Sequence, residues 1–398
     1  MSTLMNTYAR LPVTFTHGKG ALLYDDGGKA YLDGVSGIAV TNLGHAHPAV
    51  SAAISEQASS LVHCSNLFRI DSQERAADQL TTLAEMDRVF FCNSGAEANE
   101  AAIKLARLHG QRLGVEQPQI IVLEHAFHGR TLATLSATGN RKIQAGFEPL
   151  VSGFVRAPRN DLEAIETIAT SNTGVVAVML EPVQGEGGIH PLDREYLAAL
   201  RELCRRQNWL LIFDEIQSGN GRTGSYFYYQ QLGFKPDIVT TAKALGNGVP
   251  IGACLAQGQA AELFAPGHHG STYGGNPLAC AAASAVMDVI SKSSMSERAP
   301  ILAHSVLESF QSSFKHGSFI KEVRQAGLMI GIELQSACGE LAKRALQEGI
   351  LINVTAGNTI RLLPPLVMEQ EQAQELGERL AKTVNTWLEE SSPLQGAA

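Results

Sequence analysis

The middle of the chain alternates short apolar runs with amphipathic stretches. Residues 96–113 and 193–207 place apolar side chains at helical spacing, which predicts two helices. The apolar runs are five or six residues long and predict buried strands. They lie at 88–92, 119–123, 175–180, 209–213, 237–241 and 251–256. Strands that alternate with helices, and that are apolar almost throughout, indicate an α/β domain whose mostly parallel sheet is covered on both faces.

After about residue 287 the pattern changes to a helix, a strand, a second helix, two strands and a final helix, which indicates a smaller α+β domain. The elements after the first helix are predicted at 328–334, 338–348, 350–354, 359–362 and 369–390. Residues 1–48 are rich in turn signals, with a hairpin predicted around DDGG at 25–28. We therefore predict a large domain at 49–287, a small domain at 288–398, and an N-terminal segment at 1–48 that packs with the small domain.

Polar and glycine-rich segments follow five of the predicted strands. They read NSGAEANE, EHAFHGRT, EPVQGEGG, DEIQSGNGRTG and AKALGNG. Ligands of open α/β sheets bind beyond the carboxyl ends of the strands. The sequence therefore predicts one site that is assembled from the whole large domain.

Composition and charge narrow the range of partners. The 398 residues carry a formal net charge of −8, which disfavours nucleic acid and anionic membranes. The six cysteines are scattered without a CxxC pair, which is typical of a reduced, cytoplasmic protein. No apolar run approaches a membrane span, and the N-terminus lacks the apolar core of a secretory signal. His45 and His47 could form a metal pair, but no third ligand is placed with them, so no metal is expected.

Two ionisable residues of this rim are placed for chemistry. Asp214 follows the strand WLLIF directly, and a buried carboxylate needs a cation or hydrogen-bond donors to offset its desolvation. Its alternative role is to cap the next element. Lys243 follows DIVTT, where a lysine can reach into a cleft and be tuned for Schiff-base chemistry, although most lysines lie on the surface.

An aspartate and a lysine on one α/β rim suggest pyridoxal phosphate as the cofactor. Its chemistry needs a lysine, an acid partner for the pyridine nitrogen and a phosphate cradle. Ser94, Gly95 and Ala96 end one strand and open a helix, where backbone N–H groups and the helix dipole favour an anion. Phe127 follows the next strand and could stack on the pyridine ring. Taken singly, SGA is most often a helix N-cap, and such a phenylalanine is most often core packing.

Six motifs in this order resemble the class III pyridoxal-phosphate aminotransferases of fold type I. They are NSGAEANEAAIKLAR, FHGRT, EPVQGEGG, DEIQSGNGRTG, AKALGNGVPIGA and STYGGNPLA. The resemblance covers nearly the whole chain, from LYDDGGKAYLDGVSGIAV to RLLPP. Within the class, YAR at 8–10, GIAVTNLGHAHP and HCSNLF are most similar to enzymes that act on N2-acetyl-L-ornithine in arginine biosynthesis. Enzymes that act on succinylornithine are similar as well.

The resemblance implies a role for each residue at the cofactor. Lys243 would bind the cofactor covalently and shuttle a proton, and Asp214 would keep the pyridine nitrogen protonated. Gln217 would contact the phenolic oxygen, and Ile216, in place of a more familiar valine, would lie against the ring. Glu215 is placed among the cofactor-binding residues. The remaining contacts implied are Ser94, Gly95 and Ala96 at the phosphate and Phe127 on the ring.

The resemblance also implies a homodimer whose active site is shared across the interface. Thr272 of the neighbouring subunit would bind the phosphate, and Ser271 would lie near the substrate. From the residues alone, Ser271 and Thr272 could equally be a helix N-cap ahead of NPLACAAASAVM.

Substrate recognition follows from charge and from the same resemblance. Acetylornithine donates its terminal amine, so its carboxylate lies at the far end of the bound chain, where Arg130 of FHGRT would take it. 2-Oxoglutarate carries a carboxylate beside its keto carbon, and Arg361 of RLLPP would take that group. Glu186 of QGEGG would pair with Arg361 while the amine donor is bound and swing aside for 2-oxoglutarate. Otherwise Glu186 is a solvated loop residue.

Other functions compete with this prediction. Relatives of the same class act on succinylornithine, ornithine or 4-aminobutyrate, and the motifs do not separate them. A catalytically silent binding protein would have lost the lysine, whereas Lys243 is present. A nicotinamide-binding enzyme would need GxGxxG after its first strand, and NSGAEANE lacks that pattern.

Overall fold

The computed structural model of the chain describes residues 3–391. Residues 1–2 and 392–398, the outer ends of the predicted N-terminal segment and small domain, lie outside the described residues. In chain order the strands are β1 (Phe15–Lys19), β2 (Leu22–Asp25), β3 (Ala30–Asp33), β4 (Arg88–Cys92), β5 (Gln119–Leu123), β6 (Phe154–Ala157), β7 (Val175–Leu180), β8 (Val183–Gln184), β9 (His190–Pro191), β10 (Leu210–Asp214), β11 (Ile238–Thr241), β12 (Gly252–Ala256), β13 (Ile320–Ala326), β14 (Met329–Leu334), β15 (Ile350–Leu351), β16 (Asn353–Thr355) and β17 (Thr359–Leu362). The main α-helices span Pro48–Ser60, Asp71–Ala84, Gly95–Arg112, Leu132–Ala137, Arg141–Gln144, Leu162–Ser171, Arg194–Gln207, Pro277–Lys292, Met295–Ser313, Leu341–Gln347 and Gln370–Ser391.

A seven-stranded sheet forms the centre of the molecule, in the order β4-β12-β11-β10-β7-β5-β6. Strand β12 runs antiparallel to both of its neighbours, and the pairs from β11 to β6 are parallel. The predicted α/β fold with a mostly parallel sheet is therefore confirmed. The sequence missed β6, because this edge strand is only partly buried and lacks a continuous apolar run.

Helices cover this sheet because their inward faces are apolar and small. The helix Gly95–Arg112 presents Ala98, Ala102 and Ala106 toward the interior, each with no exposed surface. Side chains of this size let a helix approach a sheet closely. The N-terminus of this helix is thereby fixed at the carboxyl end of β4.

The C-terminal part forms a second core around the sheet β13-β14-β17-β16. The helices Met295–Ser313 and Gln370–Ser391 pack against each other beside it. We did not predict β13, because its sequence IKEVRQA contains several charged residues and no apolar run. The predicted strand at 350–354 is two short strands, β15 and β16, which belong to different sheets.

The N-terminal strands join the C-terminal part through the sheet β1-β2-β3-β15. Leu32 of β3 pairs with Ile350 of β15, and Leu32 packs in the C-terminal core. The predicted hairpin is confirmed, since Asp25 Oδ1 accepts hydrogen bonds from the N–H groups of Gly27 and Lys29 in the turn. Residues 36–39 then form a turn in which every φ is positive. None of the helices in the described part of the chain combines the length and apolarity that a bilayer crossing requires.

Candidate active site

The five polar segments that follow the strands meet around one cavity of about 380 Å³, as the sequence predicted. The cavity lies at the carboxyl ends of β4, β5, β7, β10 and β11. These segments supply residues 93–96, 127–130, 181, 214, 216–217 and 242–243 of its lining. Val40 and residues 248–251 complete the wall. One site is thus built from the whole large domain and touched by the N-terminal segment.

Asp214 ends β10 and is held by donors from two other elements. Its Oδ2 accepts hydrogen bonds from Asn99 Nδ2 and His128 Nδ1, each at 2.8 Å. Among the described residues, Oδ1 accepts a hydrogen bond from the N–H of Ile216 alone, at 3.2 Å, and Asp214 lines the cavity. Thr240 Oγ1 donates to Asn99 Oδ1 at 2.7 Å, which fixes the orientation of the amide. Asp214 therefore accepts one backbone N–H of the following segment, as a capping residue would, but its shorter hydrogen bonds come from Asn99 and His128.

Sequence reasoning missed Asn99 and His128 as partners of Asp214. His128 is buried, and burial alone would lower its pKa, but the hydrogen bond and charge of Asp214 outweigh it and raise the pKa. His128 and Asn99 together hold the Asp214 carboxylate in one orientation. The available signals were a polar residue inside a predicted helix and a histidine next to Phe127, and both are common in proteins without such a site.

Lys243 follows β11 directly and is largely buried beside the cavity. Within residues 3–391 no hydrogen bond or ion pair engages its amine. Burial, aided by the charge of Arg361, lowers the pKa of Lys243 to about 8, although Glu186 and Asp214 act in the opposite direction. An unengaged amine with a lowered pKa is a good nucleophile toward a carbonyl carbon. The backbone of Lys243 has a φ of 48°, so its position is conformationally strained.

The helix N-terminus at Ser94 forms a cradle for an anion. Ser94 caps the helix, with its Oγ accepting the N–H of Glu97 at 3.2 Å. A Cβ on Gly95 would approach Ile216 Cδ1 to 2.7 Å, so only glycine leaves this space open. The free N–H groups of the first turn and the helix dipole favour a phosphate here.

These features fit the predicted cofactor, pyridoxal phosphate. Gln217 Oε1 is buried without a hydrogen-bond partner among the described residues, as expected of a group that awaits a donor. Ile216 and Phe127 both line the cavity, which suits a flat aromatic ring between them. Arg130 is exposed and lies 5.6 Å from the centre of the Phe127 ring, and no residue within 3–391 forms a hydrogen bond or ion pair with its guanidinium.

Two glutamates near the cavity hold loops. Glu181 accepts the N–H of Phe127 at 2.8 Å and that of Gly185 at 3.2 Å, and burial together with Asp214 raises its pKa to about 7. Glu215, which we predicted to bind the cofactor, does not line the cavity. Its carboxylate accepts the N–H groups of Tyr228 and Tyr229, at 2.6 and 3.0 Å. The amides of Tyr228 and Tyr229 thus satisfy this buried carboxylate, and a contact between Glu215 and the cofactor stays a prediction.

Arg361 and Glu186 form an ion pair of 2.5 Å between Nη1 and Oε1. The Arg361 side chain is 1% exposed, whereas that of Glu186 is 35% exposed. Asn353 Oδ1 accepts hydrogen bonds from Nε and Nη2 of Arg361 and fixes its orientation. Neither residue is among those that line the cavity, and their charges act on the pKa of Lys243 in opposite directions.

Ser271 and Thr272 are not the helix N-cap that the sequence allowed. Asn276 caps the helix Pro277–Lys292 by accepting the N–H of Ala279 at 2.9 Å. Ser271 Oγ accepts hydrogen bonds from Asn93 Nδ2 and the N–H of Gly274, which ties it to the cavity wall. Thr272 is exposed and does not line the cavity of its own chain.

Comparison with known proteins gives a consistent result. The family model described as aminotransferase class-III matches residues 4–384. The chain is 51% identical to an acetylornithine aminotransferase of Nitrosomonas europaea over 98% of this chain and 99% of the relative. An ornithine aminotransferase of Toxoplasma gondii, solved with partial occupancy of pyridoxal phosphate at its active site, is 33% identical with a TM-score of 0.93, over 98% of this chain and 93% of that one. An N-acetylornithine aminotransferase of Stenotrophomonas maltophilia is 35% identical with a TM-score of 0.84, over 96% of this chain and 98% of that one.

A lysine, an aspartate and an anion cradle thus converge on one cavity, within a fold shared with solved aminotransferases. The matches span nearly the whole length of the chain and of its relatives. The chain belongs to the class-III aminotransferases, the pyridoxal-phosphate-dependent transaminases that its motifs resemble.

Proposed function

We propose that this enzyme transfers the terminal amino group of N2-acetyl-L-ornithine to 2-oxoglutarate. The products are N-acetyl-L-glutamate 5-semialdehyde and L-glutamate, in a cytoplasmic step of arginine biosynthesis. The observation that carries the proposal is the Glu186–Arg361 ion pair. Glu186 neutralises the buried Arg361 cation, which suits a donor whose reacting carbon bears no carboxylate. The 51% identity to an acetylornithine aminotransferase supports the same substrate.

When bound, pyridoxal phosphate supplies an electron sink that stabilises negative charge at the substrate carbon. Asp214 Oδ1 would hold a proton on the pyridine nitrogen, and hydrogen bonds from His128 and Asn99 orient that carboxylate. Lys243 Nζ would hold the cofactor and then move a proton at the substrate carbon. Its lowered pKa of about 8 lets this amine both accept and return a proton near neutral pH.

The remaining residues would bind and orient. The first turn after Ser94 would hold the phosphate, Gln217 the phenolic oxygen, and Phe127 and Ile216 the two faces of the ring. Arg130 would bind the far carboxylate of the amine donor. Glu186 would leave Arg361 when 2-oxoglutarate binds, and its partly exposed side chain has room to move.

A homodimer with a shared site is the second part of the proposal. Exposed apolar side chains lie in the segment 61–68 and directly after Thr272, and Asn66 of this segment donates hydrogen bonds to the carbonyls of Ser271 and Gly274. Exposed apolar side chains of this kind mark an interaction surface. They are Leu61, Val62, Leu67, Phe68 and Tyr273. Thr272 would then reach the phosphate of the partner's site. Mixing inactive Lys243→Ala with weakened Thr272→Ala subunits would create one fully native site per mixed dimer, so activity should return. Monomers in sedimentation, or no regained activity on mixing, would contradict this arrangement.

The substrate is tested by spectroscopy of the half-reaction. The purified enzyme would receive N2-acetyl-L-ornithine, succinylornithine, ornithine or 4-aminobutyrate without a keto acid. We expect acetylornithine to convert the visible band of the lysine-bound cofactor to the amine form fastest. A faster response to succinylornithine would instead assign the enzyme to arginine catabolism. A response to none of these donors would refute the proposed function and favour a catalytically silent protein.

Glu186→Ala tests the pairing with Arg361. Without Glu186 the Arg361 cation is free, so L-glutamate should gain as a donor relative to acetylornithine. An unchanged preference between these two donors would show that Glu186 does not act as a switch.

A further inference from the structure

The loop that carries Glu186 is held by a second arginine, Arg324 of β13. Nε of Arg324 donates hydrogen bonds to the carbonyls of Gly188 and Ile189, both at 3.0 Å. Thr355 Oγ1 donates to the carbonyl of Glu186 itself. The C-terminal part thus fixes the backbone of this loop, in addition to the Arg361 contact with the Glu186 carboxylate.

We propose that Arg324 is a positioning residue that fixes Glu186 relative to Arg361 and thereby sets the preference between terminal-amine donors and L-glutamate. This inference rests on the proposed function. Because Arg324 touches the loop and not the cavity lining, it acts through Glu186.

The loop needs such support because its backbone is strained. Ile189 has a φ of 56°, whereas the φ of 117° at Gly188 is one that glycine adopts without strain. A β-branched residue at positive φ is an outlier that persists only when its surroundings hold it. The side chain of Ile189 is fully buried in the main core, and its carbonyl accepts a hydrogen bond from Arg324. The packing of the Ile189 side chain and the hydrogen bond from Arg324 therefore hold this strained turn in place.

Arg324 is in turn oriented by a buried carboxylate. Its Nη1 pairs with Glu333 Oε2 at 2.5 Å and also with the exposed Glu322. Burial alone would raise the pKa of Glu333, but hydrogen bonds from Lys321 and Arg324 lower it to about 2, so the carboxylate stays ionised. This anchor makes a fixed guanidinium geometry that a lysine cannot reproduce.

One sheet carries both arginines. Glu333 lies on β14, which pairs with β17, and Gly331 of β14 lies opposite Arg361. Arg361 and Glu333, the anchor of Arg324, thus lie on paired strands of one sheet. The Glu186 side chain can then leave Arg361 while its backbone stays in place, which allows two substrates to share one site.

The test compares half-reactions of acetylornithine and L-glutamate in the holoenzyme, for the wild type and Arg324→Lys. A loosely held Glu186 neutralises Arg361 less well, so the ratio of kcat/KM for acetylornithine to that for L-glutamate should fall. We expect a fall of roughly tenfold, the usual size for a lost hydrogen bond to a charged group. Glu333→Gln should shift the ratio the same way. Glu340→Gln is the control and should leave the ratio unchanged, because Glu340 is exposed and pairs with Arg344 instead of Arg324.

The double variant Glu186→Ala with Arg324→Lys separates positioning from general structure. If Arg324 acts through Glu186, the double variant keeps the ratio of Glu186→Ala alone. Additive effects, or an unchanged ratio in both Arg324→Lys and Glu333→Gln, would overturn the inference. Amide hydrogen exchange of residues 181–192 gives a readout besides activity and should be faster in Arg324→Lys. If no terminal-amine donor reacts with the wild type, the proposed function fails, and hydrogen exchange still decides whether Arg324 holds the loop.

Discussion

Lys243 shows at the residue scale how burial sets both chemistry and stability. It follows a fully buried strand, so its amine loses the hydration that stabilises the charged form, and its pKa falls to about 8. The sequence marked this lysine by its place after DIVTT. The size and cause of its pKa shift depend on Arg361 and Glu186, which lie far away in the chain and close in space.

Lys243→Met should stabilise the cofactor-free enzyme at pH 7. The unfolded lysine keeps a pKa near 10.5, so between about pH 8 and pH 10.5 the unfolded chain binds more protons than the folded chain. The unfavourable contribution of Lys243 is complete below about pH 8 and disappears as the pH rises through that interval. We expect a gain on the order of 3 kcal/mol at pH 7, shrinking toward pH 10.

Urea unfolding of both cofactor-free proteins at pH 7 and pH 9.5, at equal protomer concentration, measures this gain. Lys292→Met is the control, because this lysine is exposed and should change stability little at either pH. A variant that is less stable than the wild type at pH 7, or a gain that does not change with pH, would contradict the burial argument.

At the scale of an element, the phosphate cradle depends on how closely β12 approaches the helix Gly95–Arg112. A Cβ on Gly252 would lie 2.3 Å from the carbonyl oxygen of Ser94, which is the N-cap of that helix. One clashing atom is the Ser94 carbonyl oxygen, and the other is a Cβ whose position is fixed by the backbone. No side-chain rotation can therefore relieve the clash. The glycine of IGA therefore fixes where the helix begins.

Gly252→Ala should weaken cofactor binding while the fold persists. The helix N-terminus must shift, and a misplacement of about 1 Å can lower a geometry-dependent step by 10²-fold. We expect the dissociation constant for pyridoxal phosphate to rise at least about tenfold. Titration of the cofactor-free protein, followed by visible absorption, measures it.

Gly339→Ala is the control for that titration, since a Cβ there meets nothing within 4 Å. Equal cofactor affinities of Gly252→Ala and the wild type would show that the cradle tolerates the shift.

At the scale of the whole molecule, Arg222 joins three parts of the chain. It is fully buried, and its guanidinium donates to Ser36 Oγ and Asn42 Oδ1 of the N-terminal segment. It also donates to the carbonyls of Leu328 and Pro364 in the C-terminal part. Burial lowers the pKa of Arg222 to about 9, so the group remains charged at neutral pH.

Arg222→Met should uncouple these parts. Four buried oxygens would lose their donor, and each unsatisfied group costs about 1–3 kcal/mol, partly offset by removal of a buried charge. We expect a net loss of about 3 kcal/mol. Calorimetry should show the C-terminal part unfolding at a lower temperature than the large domain.

Arg205→Met, on an exposed helix face, is the matched arginine control. A single transition at the wild-type temperature in Arg222→Met would show that other contacts join the parts. The division at residues 48 and 287 stays a prediction until such a measurement is made.

The sequence by itself determined the α/β class, the positions of the main strands along the chain, and the location of Asp214, Lys243 and Ser94 at one edge of the sheet. Strand periodicity is local, and parallel strands necessarily bring their carboxyl ends to one edge. Only the tertiary structure decided which groups form hydrogen bonds and ion pairs with one another. The donors to Asp214 lie 115 and 86 positions away in the chain, Arg324 reaches the Glu186 loop from 136 positions away, and Glu215 turns to backbone amides. Such contacts depend on how distant elements pack, and nothing in the local pattern of residues specifies that packing.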